Sequence, residues 1–454
     1  MSSLGGRAVR TARLARLSAS TGGRLWYAGR AQRNGHDARA SAQHDRIADE
    51  VLDTLGSMKG AAMKLGQLLS YVDVDLHPEA ADTYQARLAA LREAAPPTDH
   101  EAVEQVLRED FGAAPEEVFA AWDPDPVAVA SIGQVHRARL PDGSDVAVKV
   151  QHPGVAEAVE ADLDNLDIFA RLAKRISPEV DPDELLVELR ERTLAELDYQ
   201  QEARFQQAFV DRYAGHPFIR VPQVFHDWCR PRVLVLEYVQ GRRFDDLLAD
   251  PKEVRDRYGE IIFRFVFGSL YRFRLFNSDP HPGNFVFPDD GTVAFLDFGS
   301  SRSFSAGSRE RLERVHRAVA AEDLVELELA LRGAGILPEG ASTDVGAVLA
   351  WFQTLREPML ADAPSTYTRE YARRAIAASM DRDSPYLPAL RKLRMPPEYL
   401  LLNRITFGVN SLLGRLEPTA NWHRIMAELS ADAPPSTPLG EAEAEFLADH
   451  PLRA

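Results

Sequence analysis

A valine-rich hairpin between helical stretches constrains the fold of this chain more than any other sequence feature. Residues 133–140 and 145–150 have the composition of strands, and Pro141-Asp142-Gly143 between them is a turn sequence. Helical periodicity returns after the hairpin, over residues 155–176 and 183–213. Further strands are predicted at 221–228, 232–239, 284–287 and 293–298, whereas helices dominate after Gly241. The sequence therefore predicts an α+β fold.

A helical region precedes the hairpin. Apolar residues recur every three or four positions over residues 44–71, which is the spacing of one helix face, and a second helix is predicted at 78–93. The pair Pro96-Pro97 cannot continue a helix and marks a boundary. Residues 99–111 after it have the pattern of a short capped helix.

Composition excludes several classes of protein. The chain has 454 residues, 45% of them hydrophobic, and its longest apolar run, 261–276, is interrupted by three arginines. A membrane-spanning helix is therefore not expected. The single cysteine, Cys229, can form neither an intramolecular disulfide nor a cysteine-based zinc site, which favours a reducing compartment such as the cytoplasm. The net charge of −16 argues against a nucleic-acid partner.

The charge is unevenly distributed along the chain. Residues 1–40 contain seven arginines before the first acidic residue, Asp37, interleaved with apolar residues. This basic arm has the composition of a transit peptide, of a segment that contacts an anionic membrane peripherally, or of an ordinary flexible terminus. At the other end, residues 431–454 form an acidic tail rich in Pro, Ala and Glu that is expected to be weakly ordered.

Three short motifs carry chemistry. Lys149 ends the apolar strand 146–149, where a cation needs anions such as phosphates. Asp279 and Asn284 lie five positions apart, the spacing of a catalytic base and a magnesium ligand in kinase loops. Asp297, in Asp297-Phe298-Gly299, would add the second carboxylate that a magnesium–nucleotide complex needs. Taken singly, each motif is explained equally well by a surface lysine, a proline-rich turn or a chance tripeptide.

The order of the motifs is more informative than any one of them. A strand lysine, an acidic helix, an extended Glu237-Tyr238-Val239, Asp-x4-Asn and Asp-Phe-Gly follow one another along the chain. In this order the chain resembles the protein-kinase-like superfamily, and within it the UbiB/AarF family of atypical kinases, of the ubiquinone-biosynthesis type. The matching segments are Lys64-Leu65-Gly66-Gln67, residues 128–136 and 146–155, Glu196-Leu197-Asp198-Tyr199 with Glu202, residues 277–284, and Asp297-Phe298-Gly299.

The resemblance implies a bilobal protein-kinase-like fold with a helical N-terminal extension packed over the cleft. On that basis the domains are a basic arm at 1–40, the extension at 41–97, an N-lobe at 98–240, a helical C-lobe at 241–430 and the acidic tail at 431–454.

The resemblance also implies a role for each site residue. Lys149 would bind phosphates, with Glu202 orienting its ammonium group, and Asp279 would orient or deprotonate the nucleophile. Asn284 and Asp297 would bind Mg²⁺. Further nucleotide contacts are implied for Ala128, Ala130, Ser131, Glu237 and Val239.

Four more residues are implied to regulate the site. Lys64 and Gln67, three apart on one helix face, would meet Glu196 and Asp198. His281, between two prolines, is predicted to be structural rather than a metal ligand.

The resulting prediction is an ATP- and Mg²⁺-dependent enzyme that acts as an ATPase or as a kinase of a small molecule or lipid in the isoprenoid-quinone pathway. The segment after Gly299 lacks Ala-Pro-Glu, which argues against a conventional protein kinase. The alternative is a nucleotide-binding regulatory pseudokinase. An aminoglycoside-phosphotransferase-like kinase shares the Asp-x4-Asn loop but does not predict Lys64-Leu65-Gly66-Gln67. The acceptor and the oligomeric state stay open.

Overall fold

The computed structural model describes residues 98–130, 132–163, 190, 194–277, 279–381, 383–394 and 396–450. The predicted helices at 44–71 and 78–93, the basic arm and the greater part of 155–198 lie outside these residues, as do Lys64, Gln67 and Ser131. Within the described ranges no helix combines the length and the apolar composition needed to cross a bilayer.

The strands are β1 (Ala121–Val129), β2 (Gly133–Arg139), β3 (Asp145–Gln151), β4 (Ile219–Arg220), β5 (Val233–Glu237), β6 (Leu275–Asn277), β7 (Phe285–Val286), β8 (Val293–Phe295), β9 (Ser301–Ser303), β10 (Ser365–Thr366) and β11 (Thr419–Ala420). The helices are α1 (His100–Phe111), α2 (Pro115–Val118), α3 (Val155–Leu163), α4 (Tyr199–Tyr213), α5 (Lys252–Phe273), α6 (Ala306–Ala320), α7 (Leu324–Gly333), α8 (Val345–Leu355), α9 (Arg369–Met380), α10 (Leu387–Leu390), α11 (Pro397–Leu416), α12 (Trp422–Ala431) and α13 (Pro438–Asp449).

These elements form two compact units. The first contains the described residues up to Gln200 together with Phe225–Leu236, and the second contains Gln201–Val224 and the described residues from Glu237 onward. The predicted N-lobe of residues 98–240 is therefore divided between the two units, since the body of α4 belongs to the second.

An antiparallel sheet in the order β1-β2-β3-β5 forms the centre of the first unit. The predicted hairpin is confirmed, with Gly133 opposite Gln151 and Arg139 opposite Asp145. Alternate residues of β3 point into an apolar core, where Val146, Val148 and Val150 are fully buried. Helix α1 packs against β3, and its predicted cap is present, since the Asp99 side chain accepts the N–H of Glu101.

Helix α5 is the core of the second unit. It is buried from Tyr258 to Tyr271 and packs against α11 and α12. The predicted strands at 284–287 and 293–298 are confirmed as the shorter antiparallel pair β7 and β8, and β4 joins β8 in parallel. Strand β6 pairs with β9. The two aspartates singled out from the sequence lie in the loops that follow β6 and β8.

The strand predicted at 221–228 is wrong. The short strand β4 ends before it, and His226–Trp228 is a turn of 3₁₀ helix. Pro222 has no N–H to donate to a neighbouring strand. The segment runs beside β5 and is joined to it by isolated backbone hydrogen bonds instead of a continuous ladder. One of these bonds joins Phe225 N–H to the carbonyl of Val235 at 3.0 Å. The helix predicted at 183–213 is interrupted as well, because α4 begins only after the turn at 197–198.

The expectation of a weakly ordered tail is also wrong. Residues 438–449 form α13, which starts at a Thr437 cap and buries Leu439, Glu443 and Phe446. Glu443 makes ion pairs at 2.9 Å with Arg264, in the middle of α5, and at 3.0 Å with Arg272, in its last turn. Composition indicated a charged and solvated segment, but the cations that neutralise Glu443 lie in a distant part of the sequence.

Arg264 is the centre of this buried ion cluster. Its side chain is 0% exposed and donates to Glu260 at 2.7 Å and to Glu428 at 2.7 Å, in addition to Glu443. Gly440 is required beside it, because a Cβ there would lie 2.5 Å from a Glu428 oxygen and 2.8 Å from Arg264. The pKa of Glu443 is lowered: burial alone would raise it, but the nearby His216, whose Nε2 lies 3.7 Å from Oε1 of Glu443, and the charges of Arg272 and Arg264 outweigh burial.

Replacing Arg264 by methionine is expected to destabilise the second unit by about 3–5 kcal/mol, because the buried carboxylates lose their shared cation. Thermal unfolding at pH 7 measures the loss. Since the pKa of Glu443 is lowered in the folded protein, its contribution is present above the ordinary glutamate pKa and is lost as pH falls through the folded value. The difference between wild type and Arg264→Met should therefore shrink in acid.

The matched control for this prediction is Arg374→Met. Arg374 pairs with Glu357 on the surface, where both side chains are about half exposed (47% and 51%). Such a pair contributes about 0–1 kcal/mol. Equal unfolding temperatures for the two variants would show that the cluster around Arg264 does not hold α13 in place.

Candidate active site

Lys149 lies on the face of β3 opposite the valine core. Its neighbours Val148 and Val150 are buried, and Val135 of β2 is its antiparallel partner. The ammonium nitrogen of Lys149 lies 5.1 Å from the ring centroid of Tyr199. The strand thus fixes the lysine stem and directs its charge away from the apolar core.

The alanine segment lies at the turn between β1 and β2. Ala128 is opposite Val135, and the N–H of Ala130 donates to the carbonyl of Gly133 at 2.8 Å. Gly133 has no room for a side chain, since a Cβ would overlap the Val150 carbonyl and lie 2.7 Å from the Tyr199 hydroxyl. Ala128 and Ala130 therefore belong to a tight turn two strands from Lys149, and their contact with a nucleotide stays a prediction.

A polar network supports this turn, and sequence reasoning assigned it no role. The N–H of Thr98 donates to Gln134 at 2.8 Å, and the Thr98 hydroxyl lies 2.6 Å from Nδ1 of His152. The His152 N–H donates to the carbonyl of Ile132 at 2.8 Å. Thr98, which follows the Pro96-Pro97 boundary, is thereby connected to Gln134 of β2 directly and to Ile132 of the turn through His152.

His136 completes the network in the neutral form. Its Nδ1 lies 3.0 Å from the carbonyl of Asp123, which can only accept, so Nδ1 carries the proton and Nε2 accepts from Gln134 at 2.8 Å. Burial is the main cause of the lowered pKa of His136. The signal in the sequence was the polar Gln134 and His136 at alternate positions of β2, on the face that also carries the buried Ala138.

The Asp-x4-Asn motif folds into one turn of the second unit. The Asn284 side chain donates to the Asp279 carbonyl at 3.1 Å, and the Asn284 carbonyl accepts the N–H of Leu296 at 2.8 Å. His281 Nδ1 accepts the N–H of Gly283 at 3.1 Å, a contact that caps the short 3₁₀ turn. The structure therefore brings Asp279 and Asn284 together and gives His281 a role in the turn.

Asn277 joins the two aspartates. Its Nδ2 donates to the carbonyl of Asp297 at 2.6 Å, and its Oδ1 accepts the N–H of Asp279 at 3.0 Å. Asp297 has φ = 60°, in the left-handed region, and its Oδ1 accepts the N–H of Gly299 at 3.2 Å. A single side-chain amide thus fixes the backbone at both aspartates. In the sequence, Asn277 stands out only as part of the matching segment 277–284.

Glu202 lies beside the Asp-Phe-Gly segment. Its side chain is 3% exposed, and a Cβ at Gly299 would lie 3.3 Å from a Glu202 oxygen and 3.4 Å from an Asp297 oxygen. Two carboxylates therefore flank Gly299 within the second unit. Lys149 belongs to the first unit, and the pairing of Lys149 with Glu202 stays a prediction.

Gly408 of α11 is a second residue whose role the sequence did not indicate. A Cβ at this position would overlap the ring of Pro280, which follows Asp279 directly. The helix therefore supports the Asp279 loop at close range, and only glycine fits at the contact.

The remaining predicted site residues lie next to other protein groups, beginning with Glu237. Glu237 forms an ion pair with Arg220 and accepts the N–H of Gln223 at 3.2 Å, so its carboxylate is held within the second unit. The backbone contacts expected of Glu237 and Val239 with a nucleotide stay predictions. Glu196 and Asp198 lie around the turn before α4, and their pairing with Lys64 and Gln67 lies outside the described residues.

The donor set suits a magnesium–nucleotide complex better than a metal held by protein alone. In the part of the chain that the structure describes, no three His, Cys, Asp or Glu side chains cluster to hold a metal. Mg²⁺ in nucleotide sites takes one or two carboxylates and completes its shell with phosphates and water. Asp297 and Asn284 fit this limited role.

Comparison with known proteins identifies the family. A family model described as the ABC1 atypical kinase-like domain matches residues 90–328, more than half of the chain. A rat protein named "Atypical kinase COQ8B, mitochondrial" is 32% identical over 289 residues, covering 63% of this chain and 54% of the relative. A Pseudomonas aeruginosa protein named "Probable protein kinase UbiB" is 38% identical over 231 residues, covering 49% and 42%. The chain thus spans about half the length of these curated relatives.

A solved structure agrees with this assignment. The Mycobacterium tuberculosis protein Rv3197, solved in complex with erythromycin, is 30% identical with a TM-score of 0.63. The match covers 87% of this chain and 98% of that protein. The α+β kinase-like fold and the resemblance stated from the sequence are confirmed. This chain belongs to the ABC1 family of atypical kinases, the family of the UbiB and COQ8 proteins.

Proposed function

We propose that the chain is an ATP- and Mg²⁺-dependent enzyme, either an ATPase or a kinase of a small molecule or lipid of the isoprenoid-quinone pathway. The observation that carries the proposal is the Asn277 bridge, with its bonds of 2.6 and 3.0 Å to the backbones of Asp297 and Asp279. It gives the proposed base, Asp279, and the proposed metal ligand, Asp297, a fixed separation, which phosphoryl transfer requires because positioning supplies most of the catalysis.

Each residue has a defined task in this mechanism. Lys149 binds the nonbridging phosphate oxygens, and Asn284 and Asp297 would hold Mg²⁺, which neutralises phosphate charge when bound. Asp279 orients a hydroxyl or a water and accepts its proton as the oxygen–phosphorus bond forms. The bond between the γ-phosphorus and the leaving oxygen breaks at the same time, and ADP leaves.

A small acceptor is favoured over a protein substrate. Only β9 lies between the Asp-Phe-Gly segment and α6, which is capped by Ser305 and starts at Ala306. This short connection leaves little chain for docking a peptide. The quinone-pathway setting rests on the resemblance to UbiB and COQ8 proteins. Because the mycobacterial relative was solved with erythromycin, a macrolide belongs among the ligands tested.

The competing proposal is a pseudokinase that binds nucleotide and regulates partners without turnover. The presence of Lys149, Glu202, Asp279, Asn284 and Asp297 favours the enzyme. In both proposals the chain acts in the cytoplasm and contacts a membrane peripherally through the basic arm of residues 1–40, on the basis of the sequence alone.

Full-length protein incubated with ATP is expected to release phosphate, or to phosphorylate an added acceptor, only when Mg²⁺ is present. The reactions contain anionic vesicles, isoprenoid-phenol extract, erythromycin, or no addition. Phosphate release and the mass of each addition are measured, and EDTA serves as the control. Magnesium-dependent stabilisation by ATP in thermal melts without product under all conditions would favour the pseudokinase. Neither stabilisation nor product would reject both proposals.

A further inference from the structure

Strand β3 contacts the segment before α4 at two points on one face. Lys149 and Gln151 are two positions apart, so their side chains leave the same face of the strand. Gln151 is buried and donates from Nε2 to the carbonyl of Leu197 at 2.7 Å. The Lys149 ammonium lies 5.1 Å from the ring of Tyr199, two residues further along. The two strand residues thus contact successive parts of the same turn.

The ring of Tyr199 is held rigidly. Its side chain is 1% exposed, and its hydroxyl lies 2.7 Å from the point where a Cβ of Gly133 would stand. Gly133 is in turn the antiparallel partner of Gln151. The glycine is therefore required for the ring to lie this close to the sheet, and the ring cannot move away without breaking contacts on both strands.

A fixed aromatic face attracts a cation, and the attraction is stronger away from water. Lysine has a long stem whose rotamer freedom must be lost when its ammonium binds a phosphate. An ammonium already restrained over a buried ring loses less of this freedom on binding.

We propose that Tyr199 is a positioning residue for Lys149. Its ring holds the ammonium where phosphates are bound, and the bond from Gln151 to Leu197 ties the turn carrying Glu196 and Asp198 to the strand that carries the lysine. The part concerning phosphates rests on the proposed function. A structural change at the turn carrying Glu196 and Asp198 is thereby transmitted to Lys149 through Tyr199, which directly follows Asp198.

Kinetics with ATP test the positioning role. Tyr199→Leu should raise the KM for ATP about 3- to 20-fold, the range of a partly desolvated cation–aromatic contact, with kcat changed less. Tyr199→Phe keeps the ring and should stay within about twofold of wild type in both constants. Phe119→Leu is the control, because Phe119 is equally buried in the same unit and stacks on Trp122 away from Lys149. An equal rise in KM for Phe119→Leu would mean that general loosening is responsible.

A second measurement needs no nucleotide. Limited reductive methylation followed by mass spectrometry reports the reactivity of each lysine, with the surface residue Lys252 as internal reference. Lys149 should label several-fold faster in Tyr199→Leu than in wild type or Tyr199→Phe. Unchanged labelling would overturn the proposal, whatever the kinetics show. If wild type neither binds nor turns over ATP, the proposed function fails, and the labelling still decides whether Tyr199 restrains Lys149.

Discussion

Replacing Asp297 by asparagine is expected to remove most of the magnesium-dependent affinity for ATP while the protein stays folded. Asp297 has φ = 60°, and asparagine is among the few residues that adopt this conformation readily. The amide oxygen of the asparagine can still accept the N–H of Gly299, which in the wild type lies 3.2 Å from Oδ1 of Asp297. The variant therefore removes the negative charge with little change in shape. Loss of a residue that merely orients a metal-coordinating side chain weakens metal binding about 10- to 100-fold. Loss of a metal-coordinating side chain itself should weaken metal binding at least as much.

ATP titrations with and without Mg²⁺, read as thermal stabilisation, measure this effect. Asp289→Asn is the matched control, because Asp289 is exposed in the turn between β7 and β8. It should bind ATP as wild type does. If Asp297→Asn and wild type gain the same stabilisation from ATP and Mg²⁺, Asp297 does not hold the metal.

Asp279→Asn is expected to lower turnover about 10²- to 10⁴-fold, the usual contribution of a positioned general base, with ATP affinity within about threefold of wild type. The substitution keeps the contacts that shape the loop, since Asn277 accepts the backbone N–H of Asp279 and Asn284 donates to its carbonyl. The carboxylate, and with it the capacity to take a proton, is lost, while the amide oxygen can still accept from Asn284 Nδ2, which lies 3.4 Å from Oδ2 of Asp279. Single-turnover phosphate release at saturating ATP separates this defect from weak binding.

Asp289→Asn again provides the comparison, with turnover expected to equal that of wild type. A further check is the pH dependence of wild-type turnover, whose acidic limb should disappear in Asp279→Asn. Undiminished turnover in Asp279→Asn would remove Asp279 from the mechanism and leave orientation of the nucleophile to another group.

Local sequence patterns predicted the elements whose stabilising contacts are local. The hairpin from Gly133 to Gln151, the Asp99 cap of α1 and the β7–β8 pair each depend on contacts between residues no more than 18 positions apart (151 − 133). The strand expected at 221–228 failed because apolar composition alone does not provide a ladder partner where Pro222 interrupts the N–H series. The acidic tail was misassigned because Glu443 is neutralised by arginines of α5.

The candidate site shows the same limit. The order of Lys149, Asp279, Asn284 and Asp297 along the chain was sufficient to single them out as candidates, because motif spacing can be read directly from the sequence, and the structure brings Asp279 and Asn284 into one turn. The roles of Asn277, Gly408 and the Thr98 network depend on contacts with residues that are distant in the sequence. The residues next to each of them in the sequence do not show which distant residues these contacts involve. Glu202 lies beside Gly299 in the second unit, a proximity that their separation of 97 residues in the sequence (299 − 202) does not indicate.

The ion cluster around Arg264 also imposes an order of events while the protein is being made. Glu260 is available to the arginine at once, one helical turn away, but Glu428 and Glu443 follow 164 and 179 residues later. At about 5–20 residues per second, Glu443 leaves the ribosome's catalytic centre roughly 10–35 s after Arg264. A guanidinium is costly to enclose before its carboxylates arrive. The nascent second unit must therefore keep Arg264 in contact with water during this interval, and only the arrival of α13 allows that part of its core to close.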